Sequence, residues 1–429
     1  MSEELARRLN PKLVQAVEPL QVAAALESEG LNDKIARDRY GHHDVFSLAE
    51  AVYDRLVRES EPPPGGVRRR SRAFAQLSHG LLYAMPGALL PAASALVGAR
   101  WLMPGLVLTT GAGWVLGGCL ARFGYGTPAS AGTALRLGLL LGAGIAAAIG
   151  LALQAPPALL ALCVAQITFQ LCSGMLLMHR REGVMAVLMA PGVLAGALYL
   201  AIGEPVAAVL AVTVGAGCIA AVACAAVLLT REQRAPVRVP AGLPAGLAHT
   251  ALTALFLLQA EARYVVERPD LAVAGAGLVL GMGVLEYRAH CFEDDVRGVT
   301  RQVCYPVEFT RQAQRLLLHG LGWCLAALVA LSALPFLFVA LTPEGVVMAL
   351  AHVVLGGAYY LSFLLANQGR VAELCLAQGA ALVLHPGIRL AAPLPVLSDT
   401  LLFLAACLLF LCLLLVLTAS RLRDVWAYR

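Results

Sequence analysis

Charged side chains are rare inside the long apolar stretches of this sequence, and where they occur they could do chemistry. Glu261 and Arg263 stand two positions apart in "LLQAEARYVVE". A charge in the middle of a membrane costs roughly 2.5–3.5 kcal/mol on insertion scales, so such a residue is a candidate functional site. On a helix the two side chains would point about 200° apart. We therefore expect at least one of them to face a cavity or another helix, unless both lie at the level of the lipid headgroups.

Polar uncharged side chains and histidines form a second set of candidates. Gln166 and Gln170 lie one helical turn apart, which predicts either hydrogen bonding between helices or the lining of a polar cavity. Histidines in apolar stretches are interpreted first as packed or interfacial residues and second as proton relays; they are His79, His249, His319, His352 and His385. The substrate-cavity candidates are Glu261, Arg263, Gln166, Gln170 and His249.

Acids and arginines also flank the ends of two apolar stretches. Glu286 and Arg288 end one of them, and Arg370 and Glu373 stand where another begins. The simpler interpretation is a solvated edge. The functional one is an inner gate, in which acids and arginines of two halves of the protein pair and part during alternating access. We take these four residues as inner-gate candidates.

Motifs for catalysis or for metal binding do not stand out in the sequence. The acidic run at residues 292–295 lies beside Arg288 and Arg297 and predicts a solvated ion-pair cluster rather than a metal site. None of the eleven cysteines forms a C-x-x-C pair, which argues against zinc and disulfides. A Gly-rich phosphate loop, a nucleophile elbow and H-E-x-x-H are all missing. We expect no catalytic residue, no metal and no cofactor.

The composition indicates an integral membrane protein. Of the 429 residues, 59% are hydrophobic and 14% are charged, whereas soluble domains average about 25% charged. A helix crosses a bilayer with about 20 apolar residues. Twelve stretches of suitable length are predicted: 74–97, 101–121, 134–154, 157–178, 184–203, 205–229, 241–262, 270–288, 317–341, 344–366, 371–390 and 397–419.

Arginines in the connections between these stretches predict the orientation. Four of them, Arg100, Arg263, Arg268 and Arg389, fall on one side, and nearly all the others fall on the opposite side. Because cytoplasmic connections are enriched in Lys and Arg, we expect both termini in the cytoplasm of a cell (inner) membrane protein. A polar segment, 289–316, is predicted to be an inner loop with an apolar stripe that lies on the membrane surface. The net charge of +5 is read as this orientation signal, and no nucleic-acid partner is expected.

Six segments describe the predicted organisation. The fold class is all-α integral membrane, with about twelve transmembrane helices in two six-helix bundles and a small helical cytoplasmic segment at the N-terminus. Asp44 is the expected N-cap of a helix in that segment, and Gly41 is expected to stop the helix before it. The segments are a cytoplasmic helical segment 1–60, a Pro/Gly/Arg linker 61–72, a first half 73–229, an inner connecting loop 230–240, a second half 241–420 and a cytoplasmic tail 421–429.

The second half resembles the multidrug/oligosaccharidyl-lipid/polysaccharide flippase superfamily, of the polysaccharide-exporter type. The stretch "FLLQAEARYVVERPDLAVAGAGLVLGMGVLEYR" is similar to a seventh span with a polar or acidic position before an eighth span of small residues. The stretch "GGAYYLSFLLANQGRVAELCLAQGAALVLHPG" is similar to spans ten and eleven joined by a short inner turn. This resemblance implies that Glu261 and Arg263 line a central cavity, where Arg263 meets a pyrophosphate or an acidic glycan.

Three functions are compatible with these features. The first is a transporter that exports a lipid-linked or polymeric saccharide by alternating access, with membrane lipids and that glycan as its partners. The second is a non-transporting membrane scaffold that recruits a cytoplasmic protein through residues 1–60. The third is a membrane-embedded glycosyltransferase, which would need acids on the outer side; the connections there offer mainly Glu204, Glu267, Asp270 and Glu344. The first is preferred, and the chain is therefore not expected to be an enzyme.

Overall fold

The computed structural model describes residues 18–59, 66–237, 239, 242–264, 268–303, 305–391 and 394–422. Every regular element in these ranges is helical. The chain divides into two compact units, residues 1–72 and 73–429, and each is described by itself. The helices are α1 Pro19–Ser28, α2 Asp33–Ile35, α3 Val45–Glu59, α4 Gly66–Ala84, α5 Leu90–Val97, α6 Ala99–Gly126, α7 Ala131–Ala152, α8 Pro157–Met178, α9 Glu182–Ile202, α10 Pro205–Leu229, α11 Leu243–Tyr264, α12 Pro269–Ala272, α13 Ala276–Gln302, α14 Pro306–Ala333, α15 Pro343–Asn367, α16 Val371–Ala391 and α17 Val396–Arg421.

Long apolar helices dominate the second unit. Ten stretches in the described residues are long and apolar enough to cross a membrane, and they are Ala73–Val97, Pro128–Ala152, Pro157–Met178, Glu182–Ile202, Pro205–Leu229, Asp270–Thr300, Val307–Leu337, Pro343–Asn367, Val371–Ala391 and Val396–Arg421. Each overlaps a stretch predicted from the sequence. Helices α6 and α11 stand where the other two crossings are predicted. The chain is thus a multi-pass, all-helical membrane protein, and the count of twelve stays a prediction.

The predicted inner loop at 289–316 is wrong. Helix α13 continues to Gln302 and α14 begins at Pro306, so only a short break separates them. The break follows from Pro306, because the residue before a proline avoids the helical region; Tyr305 is extended, with φ −108° and ψ 129°. Of the predicted apolar stripe, Val299 and Phe309 are buried between helices, and Val303 and Leu316 pack against the same core, whereas Val307 is 73% exposed. The segment has the predicted helical periodicity, but it forms the end of α13 and the start of α14, two long helices that pack against each other.

Buried apolar side chains of the second unit form two large clusters. The first core comprises residues between Leu82 and Ala226, and the second core comprises residues between Phe256 and Leu422. Within the first core α8 packs against α6, α7 and α10, and within the second core α15 packs against α13, α14 and α17. Helix α6 also packs along α11. This contact joins a helix of the first core to a helix of the second core.

Two ends of the helices can be told apart by their connections. Residues 126–130, 179–181, 230–237 and 368–370 lie between helices at one end, and they include several arginines. We call this the basic end. Residues 153–156, 203–204, 334–342 and 394–395 lie at the opposite end, because consecutive long helices run back and forth.

The first unit has a small core of its own. Val22 and Leu26 on α1 and Leu48 and Val52 on α3 are fully buried; these four belong to one apolar cluster. This cluster gives residues 18–59 a packed interior without any help from a membrane. Gly41, with φ +72°, ends the turn before α3, as the sequence predicts.

The predicted N-cap of α3 is confirmed. Asp44 Oδ1 accepts the backbone N–H of Ser47 at 2.7 Å, and Ser47 Oγ accepts the backbone N–H of Asp44 at 3.1 Å. This reciprocal pair satisfies two backbone donors that the helix itself cannot. The hydrogen bond from Ser47 and the neighbouring His43 hold the pKa of Asp44 below its usual value.

Candidate functional site

The cavity candidates do not form one cluster of described contacts. Glu261 and Arg263 lie in the last turn of α11, at the end opposite the basic end; their side chains fall outside the described set. Gln170 packs its amide into the notch beside Gly113 on α6, where an added Cβ would overlap it. The Oε1 atom of Gln170 is buried and has no hydrogen-bond partner among the described residues. Gln166, one turn earlier on α8, is half-buried.

His249 has polar partners inside the second set of helices. Its Nδ1 lies 3.0 Å from Oε1 of Gln378 on α16. The amide nitrogen of Gln378, which is fully buried, donates to Thr253 Oγ1 at 3.0 Å. The glutamine thus fixes α11 against α16 with two hydrogen bonds, the arrangement expected of an interhelical polar contact. Gln378 was not among the sequence candidates, although a lone amide in an apolar helix was the available signal.

The inner-gate candidate Glu286 joins helices of the two cores. His79 on α4 donates from Nδ1 to Glu286 Oε2 on α13 at 2.6 Å. The other ring nitrogen of His79 lies 3.6 Å from Oε1 of Glu182, the first residue of α9. We call these three residues the His79 cluster. Their side chains retain 13%, 23% and 18% exposure for His79, Glu286 and Glu182, so the cluster is sheltered but not sealed.

Two glycines bring the backbones of α4 and α13 together beside this cluster. A Cβ at Gly80 would overlap the carbonyl oxygen of Leu280, and one at Gly283 would overlap the carbonyl oxygen of Gln76. The Gln76 side-chain amide also lies 3.0 Å from Nδ1 of His290, one turn beyond Glu286. Small residues permit this close crossing of helices.

The other gate candidates point elsewhere. Arg288 lies in the second core, where its guanidinium and the Tyr360 hydroxyl share the space beside Gly320. Arg370 and Glu373 pair with each other at 3.4 Å, and Arg421 reaches Glu373 at 2.5 Å. None of these contacts reaches a helix of the first core, so the described residues pair Glu286, but not the other three candidates, across the two cores.

A buried acid that sequence reasoning missed lies at the opposite end. Asp399, near the start of α17, accepts the hydroxyl of Tyr264 at 2.5 Å. Its other oxygen lies 3.1 Å from Nε2 of His385 and 3.4 Å from Nε of Arg389. We call these four residues the Asp399 cluster. The available signal was a single acid placed three residues inside the apolar stretch that begins at Val396.

A second acidic group at that end is engaged by an arginine. Arg268 binds both carboxylate oxygens of Asp270, at 3.0 and 2.8 Å, and lies 3.4 Å from Glu344. The Asp270 carboxylate also accepts the hydroxyl of Thr342. The hydrogen bonds to Asp270 raise the pKa of Arg268 above its usual value. Asp270 and Glu344, two of the acids that an outer catalytic site would need, therefore interact with the same arginine.

Comparisons with known proteins do not assign this chain to a family. No protein-family model matches the sequence, and no curated protein or solved structure matches it significantly. The likeness to the flippase superfamily therefore stays a prediction from the residues quoted above.

Proposed function

We propose that this protein is a transporter that works by alternating access and exports a lipid-linked or polymeric saccharide. The observation that carries the proposal is the His79 cluster, which joins helices of two separate apolar cores through an ionisable contact. Alternating access needs a contact that can open without disrupting the cores themselves. A partly exposed contact between a histidine and carboxylates meets this need, because water can solvate both partners when they separate.

In the proposed cycle, α4 and α13 close the basic end through Glu286 and part there when the substrate path opens towards that side. The six-helix halves of the prediction, 73–229 and 241–420, move largely as rigid bodies because each has a packed core. The paired glycines allow backbone contact over a short crossing, which leaves few interlocked side chains to pull apart. Substrate passes between the halves.

The substrate class rests on the resemblance and on one side chain. A polyprenyl-pyrophosphate carrier places two phosphate groups in the membrane interface, and a guanidinium binds phosphate oxygens in a planar, two-point geometry. Arg263 supplies such a group at the end of α11. The cavity residues Glu261, Gln166, Gln170 and His249 are proposed to line the path, with Glu261 adjusting the charge beside Arg263.

A reversible cross-link across the basic end tests this proposal. Gln76→Cys with His290→Cys places a thiol on α4 and another on α13 at two positions whose native side chains meet, with Gln76 Nε2 3.0 Å from His290 Nδ1. Reconstituted protein is assayed with a fluorescent polyprenyl-pyrophosphate-linked saccharide, scored by its accessibility to an added quencher. We expect oxidation to stop movement of the probe and reductant to restore it.

The matched control cross-links helices of one half. Cys375 on α16 contacts the backbone of Ala245 on α11, so Ala245→Cys beside the native Cys375 ties these two helices together. Oxidation of this variant should leave probe movement unchanged. Movement that continues in the fully cross-linked Gln76–His290 pair would refute alternation at this contact.

A scaffold role is a second candidate, favoured by the separate core of the first unit. Leu20 and Phe46 are 60% and 52% exposed on that unit, and large exposed apolar side chains are common anchors for a protein partner. Deletion of residues 1–60 distinguishes the two functions. A transporter should retain probe movement in vesicles, whereas a scaffold should show no probe movement in either form and should lose a cytoplasmic partner on deletion.

A further inference from the structure

The Asp399 cluster brings four ionisable or hydrogen-bonding groups from three helices into the interior of the second core. Tyr264 comes from the end of α11, His385 and Arg389 from α16, and Asp399 from α17. The Asp399 and His385 side chains are 2% and 1% exposed. An acid and a histidine buried this deeply in a membrane protein are candidates for function by default.

The contacts determine which histidine nitrogen carries a proton. While Asp399 is ionised its carboxylate can only accept, which assigns the proton of a neutral His385 ring to Nε2, 3.1 Å from Asp399 Oδ1. The neutral ring therefore presents the lone pair of Nδ1 on its other side. That atom is buried and has no hydrogen-bond partner in the described residues.

Two histidines have a buried ring nitrogen with no hydrogen-bond partner in the described residues, Nε2 of His79 and Nδ1 of His385, and only the first of these faces a carboxylate, Glu182 at 3.6 Å. In His179, His290 and His352, Nδ1 lies 2.9, 2.8 and 2.8 Å from the carbonyl oxygen four residues earlier. That backbone contact occupies Nδ1 and holds the ring against its own helix. His385 departs from this pattern, since its ring turns towards Asp399 and leaves Nδ1 open. A histidine that served only to pack would lose nothing by making the backbone contact.

Charged groups near His385 have opposite effects on a positive charge added to its ring. Asp399 faces the ring directly, and its carboxylate is held by the Tyr264 hydroxyl. Arg389, which is 32% exposed, already supplies one positive charge to the same carboxylate. From α15, His352 contacts the same aromatic ring as His385, with each centroid 5.8 Å from Phe403. A proton added to the ring is favoured by the Asp399 carboxylate and opposed by the Arg389 guanidinium.

We propose that His385 and Asp399 form a proton-binding site and that this proton is the coupling ion of the transporter. One proton adds to the Nδ1 lone pair, forming an N–H bond and an imidazolium that the Asp399 carboxylate stabilises, and the same bond breaks when the proton is released. The coupling role rests on the proposed function, whereas the proton-binding site does not.

The first arm of the test measures proton binding without any transported substrate. Full-length protein in vesicles is studied by infrared difference spectroscopy between pH 8 and pH 5, comparing wild type, His385→Gln and the exposed His319→Gln. We expect His385→Gln to remove the band of one buried imidazolium and His319→Gln to leave that band unchanged. Where His385→Gln fails to fold, Asp399→Asn serves, and its imidazolium band should appear only at lower pH. A difference spectrum that is the same in wild type and in these variants overturns the proposal.

The second arm measures coupling with the fluorescent polyprenyl-pyrophosphate-linked saccharide. An imposed pH gradient should accelerate probe movement in wild type and in His319→Gln, and the acceleration should disappear in His385→Gln. Acceleration that persists in His385→Gln overturns the coupling role. A wild type that moves no probe, but retains the imidazolium band, would refute the proposed function and leave the proton-binding site standing.

Discussion

The His79 cluster and the Asp399 cluster contain the same chemistry, a histidine hydrogen-bonded to a carboxylate, in opposite settings. The first joins helices of two cores and keeps between 13% and 23% of each side chain exposed. The second lies within one core, and its histidine and acid are almost fully buried. Between separate cores such a contact can break and be solvated. Within a core it is a fixed part of the interior, so what changes there is protonation rather than distance.

Replacement of Asp399 should have the largest effect on stability. Asp399→Ala would leave the Tyr264 hydroxyl, His385 and Arg389 without their shared acceptor. Breaking a buried pair costs about 3–5 kcal/mol, and we expect about 2–4 kcal/mol here because Arg389 is partly solvated. The free energy of unfolding can be measured by SDS titration in mixed micelles.

The control for this replacement is Glu232→Ala, whose contact with Arg231 is long at 3.6 Å and whose side chain is 85% exposed. We expect a change below about 0.5 kcal/mol. Equal losses in the two variants would contradict the idea that burial separates the Asp399 cluster from surface ion pairs.

Separation of α4 from α13 should come second. Gly283→Leu would drive a side chain into the carbonyl groups of Gln76 and Leu77. Overpacking of this kind costs about 1–3 kcal/mol, and it should also slow formation of the Gln76–His290 cross-link. Gly298→Ala on the same helix is the control, since a Cβ there meets nothing within 4 Å. Unimpaired cross-linking in Gly283→Leu would show that the glycine crossing does not hold these helices together.

Loss of the His79 contact should have a smaller effect on stability and a visible one on conformation. His79→Gln removes the hydrogen bond to Glu286, and a hydrogen bond to a charged group contributes about 1.5–3 kcal/mol, less where water competes. We expect about 1 kcal/mol, measured by the same SDS titration. A thiol at Gln76→Cys should also react several-fold faster with a water-soluble reagent in this variant. His319→Gln is the matched control. Equal reaction rates of the thiol in the His79→Gln and His319→Gln backgrounds would show that the His79 contact does not hold α4 against α13.

The smallest effect is expected at the cap of α3. Asp44→Ala removes the acceptor for the Ser47 backbone N–H, so hydrogen exchange in the first turn of α3 should become several-fold faster. Because the folded pKa of Asp44 is lowered, its contribution is complete above the unfolded value of about 3.9 and is lost as the pH falls through the folded value. Exchange in wild type should therefore approach that of the variant only in acid. Glu50→Ala, later on the same helix, should change exchange in that first turn very little.

Local patterns in the sequence predicted the helices well. Apolar run length predicted the positions of the long helices, and the Asp44 cap and the Gly41 stop were read from residue type alone. The segment 289–316 was misread because helical periodicity in a polar stretch is the same for a surface helix and for two packed helices. The break at Pro306 was the distinguishing sign.

Partners across the chain could not be predicted in this way. Glu286 was chosen as a gate candidate, but its partner His79 stands 207 positions away, and nothing local relates the two. His385 was interpreted first as a packed or interfacial residue, because nothing local in the sequence relates it to its acid partner Asp399. The burial of these side chains and the pairing between them depend on tertiary packing, so they can be seen only in the folded structure.

The distance between the two halves at the basic end is the most direct test of alternating access. Spin labels on unnatural amino acids at Gly183 on α9 and Gly298 on α13 would leave the native cysteines unlabelled, and an added side chain meets nothing within 4 Å at either site. With the protein in vesicles, we predict two distance populations whose ratio changes when the polyprenyl-pyrophosphate-linked saccharide is added. A single distance that is the same with and without the probe would contradict the account.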